Sequence, residues 1–334
     1  MQAFKEKVLL ISFIGLFVGC SLFWLFTPKA SFSDLENRPL QKKPELSFET
    51  LVNHRFAEQT ELYLSDHFPF RSSWLTLKSA AEQLRLQKEN NGIYKGKNHF
   101  LMEYLPPLSD VQREYWIQTL QQFDQKTDVS SELILVPTSI QMYPTERPKY
   151  APIASQKADF KTIEEALPFP MWNGIEHLAP YVSEPIYFKT DHHWTMDGAY
   201  YAYRDWAERH GVIPHEKSNY ERQVVSDSFY GSFDTKGRFA FTQPDSLVFY
   251  KTKQPLNQTI ELVDEQRFLT GWTDSGYLQK KDHYSYILGG VHALLRIQTV
   301  VPKEQLVAQR LLVVKDSYAH VLLPFLAEHV QELH

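Results

Sequence analysis

Residues 8–26, VLLISFIGLFVGCSLFWLF, contain no charged side chain. As a helix rising about 1.5 Å per residue, the run reaches about 28 Å, enough to cross the hydrocarbon core of a bilayer. Three readings compete for it: a membrane span, a cleaved signal peptide and a lipoprotein signal. No small-x-small site ends the run, as a cleaved signal would require. Phe17-Val18-Gly19-Cys20 loosely resembles a lipobox, but Phe17 stands where such motifs prefer Leu, and apolar residues continue through Phe26. Lys5 and Lys7 precede the run and favour a cytoplasmic N-terminus. The expectation is a cytoplasmic tail over 1–7, a transmembrane anchor over 8–26, and a chain that lies outside the cytoplasm beyond Pro28.

That chain has the composition of a globular protein. Of the 334 residues, 43% are hydrophobic and 14% aromatic, which argues against disorder. The formal net charge is −5 with both signs interspersed, so no basic face is available for nucleic acid. Gly-rich phosphate loops and internal repeats are absent, and no cofactor motif is present. Cys20 is the single cysteine, which excludes disulfides within the chain and Cys-rich zinc sites.

Pro28, Pro39 and Pro44 break the stretch after the anchor into an extended stalk. Apolar residues at helical intervals over 48–86, interrupted at Pro69, predict two helices, so 27–90 reads as stalk and membrane-proximal helices. The Asn-Gly and Gly-Lys turns of NNGIYKGKNHFLMEY predict a hairpin. A helix is expected over 109–126 with Ser109 as its cap. The apolar centre of ELILVP at 132–137 suggests a strand buried on both faces. Strand signals at 185–190 and 310–315 are each followed by a helical pattern, over 195–210 and through Glu328. This alternation predicts that 91–334 is an α/β domain with a mainly parallel sheet flanked by helices. The stretch 212–281 is rich in turn residues and reads as an insertion or an antiparallel lobe.

Two strand-to-helix junctions carry candidate chemistry. In the first, Asp191, His192, His193 and Trp194 lie between a strand and a helix capped by Thr195. In the second, a strand ends at Lys315-Asp316 and Ser317 opens the next helix. Loops at the carboxyl ends of strands are where open α/β sheets build sites. A serine at a helix start lies beside backbone N–H groups that no helical carbonyl satisfies. With an acid and a base supplied by Asp191 and His193, the parts of nucleophilic serine catalysis are present. Each residue also has an ordinary reading: Asp191 and Ser317 suit helix caps. Asp191 and the two histidines resemble metal ligands, but further ligands at a recognisable spacing are missing. Asp66-His67 echoes the motif at a helix end, where a contact with the main domain is expected. Asp282 and His283 are weaker site candidates, and exposed aromatic rings near a site would stack on sugars.

Taken together, TDHHW at 190–194, FSDLENRPL at 32–40, SDHFPFRSSW at 65–74, ENNGIYKG at 89–96, KDHYSYILGG at 281–290 and VVKDSYAHVLLPFLAEH at 313–329 resemble the DHHW family. These are membrane-anchored, extracytoplasmic bacterial proteins similar to SGNH-type O-acetyltransferases of alginate and other exopolysaccharides. The resemblance implies an SGNH-hydrolase-like fold and a triad of Ser317 as nucleophile, His193 as base and Asp191 as its orienter, with His192 a bystander. It also implies Gly289, Gly290, Trp194 and Asp316 as site-lining residues, no cofactor or metal, a cell-envelope polysaccharide as substrate, and a membrane acyltransferase as acetyl donor. Two positions depart from it. Lys315 stands where Gly is usual, and Val291 follows Gly289-Gly290 where Asn is expected as an oxyanion donor, so an inactive carbohydrate-binding or scaffold protein is the alternative. The chain also ends at His334, before the closing strand that the resemblance leads one to expect after the Ser317 helix.

Overall fold

The structure is a computed structural model that describes residues 2–33, 38–152 and 154–334. Met1 of the tail and residues 34–37 of the FSDLENRPL stretch lie outside the described residues. The chain divides into two compact units, Met1–Leu86 and Gln87–His334. Glu89–Asn90 pairs with Ile93–Tyr94 within the second unit.

In the first unit a single helix runs over Gln2–Phe26. Its stretch Phe4–Phe26 is long and apolar enough to cross a membrane and is largely exposed. Phe32–Ser33 then pairs antiparallel with Arg38–Pro39. The helical stretch contains three helices, Phe48–Val52, Arg55–Asp66 and Arg71–Leu84, where two were expected. The extra break comes at His54, which adopts a left-handed φ of 62°. Asp66 accepts hydrogen bonds from Arg38 at 2.6 and 3.0 Å and from the Gln41 amide at 2.8 Å. His67 Nε2 lies 3.0 Å from the Ala30 carbonyl. Asp66-His67 therefore fastens the helices to the stalk.

The second unit is mixed α/β. Glu89–Asn90, Ile93–Lys95 and Leu101–Glu103 form an antiparallel meander. The helix Asp110–Lys126 is capped by Ser109 in a reciprocal capping box with Gln112. A long antiparallel pair joins Tyr220–Phe229 to Asp245–Thr252, which gives the 212–281 region its hairpin. The largest sheet has five strands, in the order Arg267–Leu269, Gln258–Leu262, Leu295–Thr299, Val330–Leu333, Ala308–Leu311.

The mainly parallel sheet is not what the chain forms. Among the described residues, parallel pairing is confined to Ala308–Leu311 with Val330–Leu333 and Leu133–Leu135 with Met171–Asn173. Short turns, such as the one between Leu262 and Arg267, force antiparallel neighbours. The expected strand over 185–190 makes only an isolated bridge, Tyr187 with Trp194, because the chain folds straight back on itself: Phe188 N–H donates to His193 O and Thr195 N–H to Ile186 O. Leu133–Leu135 is half-buried, not covered on both faces.

The helix after Ser317 is also interrupted. A 3-10 turn spans Ser317–Val321 and a short helix spans Leu323–Leu326. A continuous helix would place Pro324 in its interior, where the ring lacks an N–H and clashes with the preceding turn; restarting the helix puts Pro324 in a first turn, where it is tolerated. Val330–Leu333 then forms a strand that lies inside the five-stranded sheet.

The core of the unit is aromatic. Trp172, Trp194, Tyr203, Phe229 and Phe325 are all under 2% exposed. The helix Met196–Arg209 runs through this core with ten buried residues. Thr195 Oγ1 caps it by accepting from Gly198 N–H at 3.3 Å while donating to Pro185 O at 2.6 Å. That cap fixes where the preceding loop, Asp191 to Trp194, must turn.

Candidate active site

Asp191, His193 and Ser317 form one hydrogen-bonded chain. His193 Nδ1 lies 2.5 Å from Asp191 Oδ1, and His193 Nε2 lies 2.8 Å from Ser317 Oγ. With the Nδ1 proton directed at the carboxylate, Nε2 is left to accept the serine proton. Asp191 and His193 are buried at 3% and 5% exposure, while Ser317 is half-buried. Burial alone would raise the Asp191 carboxyl. The charge and hydrogen bond of His193, the nearby His192 and the Ser232 amide outweigh that and hold it below the ordinary carboxylate range. The acid is therefore ionised, as a group that orients an imidazole must be.

The two junctions are laced together. Trp194 Nε1 donates to Tyr318 O at 2.7 Å, and Tyr318 OH donates to His192 O. Asp316 is exposed and caps the 3-10 turn by accepting from Tyr318 N–H at 2.9 Å. Among the described residues, the Ser317 backbone N–H donates to no protein acceptor. His192 turns away from the serine: its Nδ1 lies 2.7 Å from Ser232 Oγ. Lys315 is half-buried, and burial lowers its ammonium pKa.

Several supporting residues have no signature in the sequence. Asp245 holds the loop before the acid, accepting from Lys189 N–H, Thr190 N–H and Thr190 Oγ1 at distances from 2.7 to 3.1 Å. Ser232 N–H, at the start of the helix Ser232–Gly237, donates to Asp191 Oδ2 at 2.7 Å. Tyr284 stacks flat on His193, with ring centroids 3.7 Å apart and planes 8° from parallel, and its hydroxyl donates to Ser317 O at 2.9 Å. It thus fixes both the base and the nucleophile. Gly231 lies so close to the acid that a Cβ there would stand 2.3 Å from Asp191 Cβ and 2.5 Å from Oδ2. Gly231→Ala must push the carboxylate aside. It is expected to lower ester hydrolysis by about 10²-fold, the usual cost of a small misplacement, with the far-UV circular dichroism of the folded chain retained.

The remaining candidates make other contacts. Gly289 and Gly290 have φ of 70° and 103° and pack toward Asp274 and Tyr277, and neither is hydrogen-bonded to the triad among the described residues. Val291 is 76% exposed. Asp282 accepts from Ser285 Oγ at 2.6 Å and His283 Nδ1 meets Ser226 Oγ at 2.9 Å, so both brace the Tyr284 segment. Asp191, His192 and His193 have ligand atoms close enough to share a metal ion. The His193 nitrogens, however, are engaged by Asp191 and Ser317, and His192 Nδ1 by Ser232.

The family model for DHHW proteins matches residues 175–334, which contain every residue of this constellation. No curated protein matches the sequence. Among solved structures, a DHHW family protein from Eubacterium siraeum is similar at 22% identity and a TM-score of 0.59, over 73% of this chain and 82% of its own. Bacillus cereus PatB1 with a sulfonyl adduct is similar at 18% identity and a TM-score of 0.55, over 72% and 84%. The O-acetyltransferase domain of Pseudomonas putida AlgJ aligns at 14% identity and a TM-score of 0.42, over 72% and 78%. For the first two, at these identities, the likeness is one of fold.

Proposed function

We propose that this chain, similar to DHHW proteins over its C-terminal part, is a membrane-anchored serine O-acetyltransferase or acetylesterase. It would stand in the cell membrane as a single-pass protein with its N-terminus in the cytoplasm, and act on acetyl groups of a cell-envelope polysaccharide. The observation that carries the reading is the unbroken hydrogen-bonded chain from Asp191 through His193 to Ser317 Oγ. Ser317 Oγ attacks the acetyl carbonyl while its proton passes to His193 Nε2, and Asp191 stabilises the imidazolium. The imidazolium then protonates the leaving oxygen, which leaves an acetyl-serine. A sugar hydroxyl, or water in the esterase, gives its proton back to Nε2 and attacks in turn. The Ser317 N–H is the oxyanion donor nearest the reacting carbon, because the next amide, that of Tyr318, is taken by Asp316. No step needs a cofactor. An acetyl group brought across the membrane requires a membrane acyltransferase as partner.

One observation favours a second reading, a carbohydrate-binding or scaffold protein that keeps this fold without activity. Val291 is exposed and offers no side-chain donor where an oxyanion-binding Asn is expected, a loss worth about 10²–10³ in rate. A fluorophosphonate probe separates the two, since it reacts with a serine only when a base activates it. The purified folded chain is expected to be labelled at Ser317 and to release acetate from a small acetyl ester, and to acetylate added polysaccharide if it is a transferase. Folded protein that takes up no probe and releases no acetate would leave only the second reading.

A further inference from the structure

We propose that the turn joining the helices Arg55–Asp66 and Arg71–Leu84 is a second membrane contact, a foot seated in the outer leaflet at the boundary between acyl chains and headgroups. The proposal rests on the reading of 8–26 as a span and adds a surface whose depth the contacts fix. The Phe70 ring stacks on Phe23 with centroids 5.0 Å apart and planes 24° from parallel. Trp24 meets Tyr63 edge-on at 6.0 Å, and His67 Nε2 lies 3.0 Å from the Ala30 carbonyl. The turn is thereby held against the last turn of the apolar helix. Phe23 stands three residues before the end of that helix at Phe26, about 4.5 Å inside it at about 1.5 Å per residue. A span that places Phe23 in lipid therefore carries Phe70 to the same depth.

The side chains around Phe70 suit that depth. Phe68 is 47%, Phe70 62% and Trp74 44% exposed, so three large apolar groups at the turn are partly uncovered. Phe68 and Trp74 line a shallow concavity together with Arg71 and Leu75. Tryptophan rings beside a basic side chain are the residues found at membrane–water boundaries, with an apolar body in lipid and a polar tip in water. Lipid is the occupant, because Phe23, the partner of Phe70, is itself 48% exposed and belongs to a helix long and apolar enough to cross a membrane. Any other occupant would have to displace the leaflet that surrounds Phe23. The foot would give the anchor a fixed orientation at the membrane surface where a lone helix is free to rotate.

The test uses the full chain in vesicles of phosphatidylcholine and phosphatidylglycerol, in a Cys20→Ser background that removes the native thiol. Leu16→Cys reports on the span, and Phe68→Cys and Trp74→Cys report on the foot while leaving the Phe23–Phe70 stack intact. Each thiol carries an environment-sensitive fluorophore, quenched either by nitroxides at defined depths on the lipid or by aqueous iodide. Labels at 68 and 74 are expected to be quenched most by nitroxides near the headgroup and shielded from iodide, and the label at 16 most by deep nitroxides. Adding Phe70→Ser is expected to expose the labels at 68 and 74 to iodide without moving the label at 16. A label at 16 reached by deep nitroxides, with 68 and 74 open to iodide and untouched by lipid nitroxides, would overturn the foot and leave the span standing. A label at 16 that no lipid nitroxide reaches would overturn both.

Discussion

Ser317→Ala and His193→Ala are each expected to abolish acetyl-ester hydrolysis, and the double variant is expected to lose no more than either single one. Ser317 Oγ and His193 Nε2 share one hydrogen bond of 2.8 Å and act in one step, so removing either ends the step. In a well-studied serine protease such losses are about 10⁶-fold and grossly non-additive. Fluorophosphonate labelling should vanish in both variants. His192→Ala is the internal control: its ring bonds Ser232 and not the nucleophile, so most activity should survive. Steady-state hydrolysis of a small acetyl ester, with thermal unfolding to show that each variant is folded, decides the matter. Equal rates in wild type and Ser317→Ala would remove the serine from the mechanism. Losses that add in the double variant would mean that the two residues do not work together.

What could be read from the sequence was local. The helix over 195–210, its Thr195 cap and the Ser109 cap depend on residues within a few positions of each other, and periodicity and cap chemistry report such features directly. Asp191, His193 and Ser317 stood out for the same reason, each at the end of an apolar run and the start of a helical pattern. The supports of the site come from far along the chain and leave no local trace. Gly231 and Ser232 reach Asp191 across 40 residues or more, Asp245 reaches Thr190 across 55, and Tyr284 reaches Ser317 across 33. A glycine needed for a close approach looks like any turn glycine until the partner is known. Sheet direction failed for a related reason. The apolar run at 133–135 looks like a strand covered on both faces, yet Leu133–Leu135 is half-buried, and the strand expected over 310–315 ends at Leu311, with Leu312 and Val314 beyond it 65% and 88% exposed. Composition cannot tell a doubly covered strand from one whose second face is open. The strand Val330–Leu333 is hidden in the sequence because Val330 and Leu333 stand three apart, a helical spacing, although their pairing with Ala308 and Leu311 makes them strand.

Asp191→Asn is expected to lower hydrolysis by about 10⁴-fold while the domain stays folded. The amide keeps the shape of the acid and can still face the ring. It removes the charge that stabilises the imidazolium, and an amide nitrogen turned toward Nδ1 selects the tautomer with its proton on Nε2, which cannot accept from Ser317. The same substitution carries a signature in acid. The carboxyl titrates below its ordinary range because His193, His192 and the Ser232 amide together outweigh the burial that opposes them. A depressed carboxyl contributes stability that is fully present above its unfolded pKa of about 4 and is lost as pH falls through the folded value. Wild type should therefore be the more stable protein at pH 7, and the gap to Asp191→Asn should narrow below about pH 4. Denaturant midpoints at a series of pH values would measure it. A gap that stays constant into acid would mean that the acid contributes by shape and not by charge, and a rate within tenfold of wild type would mean that His193 needs no orienting acid.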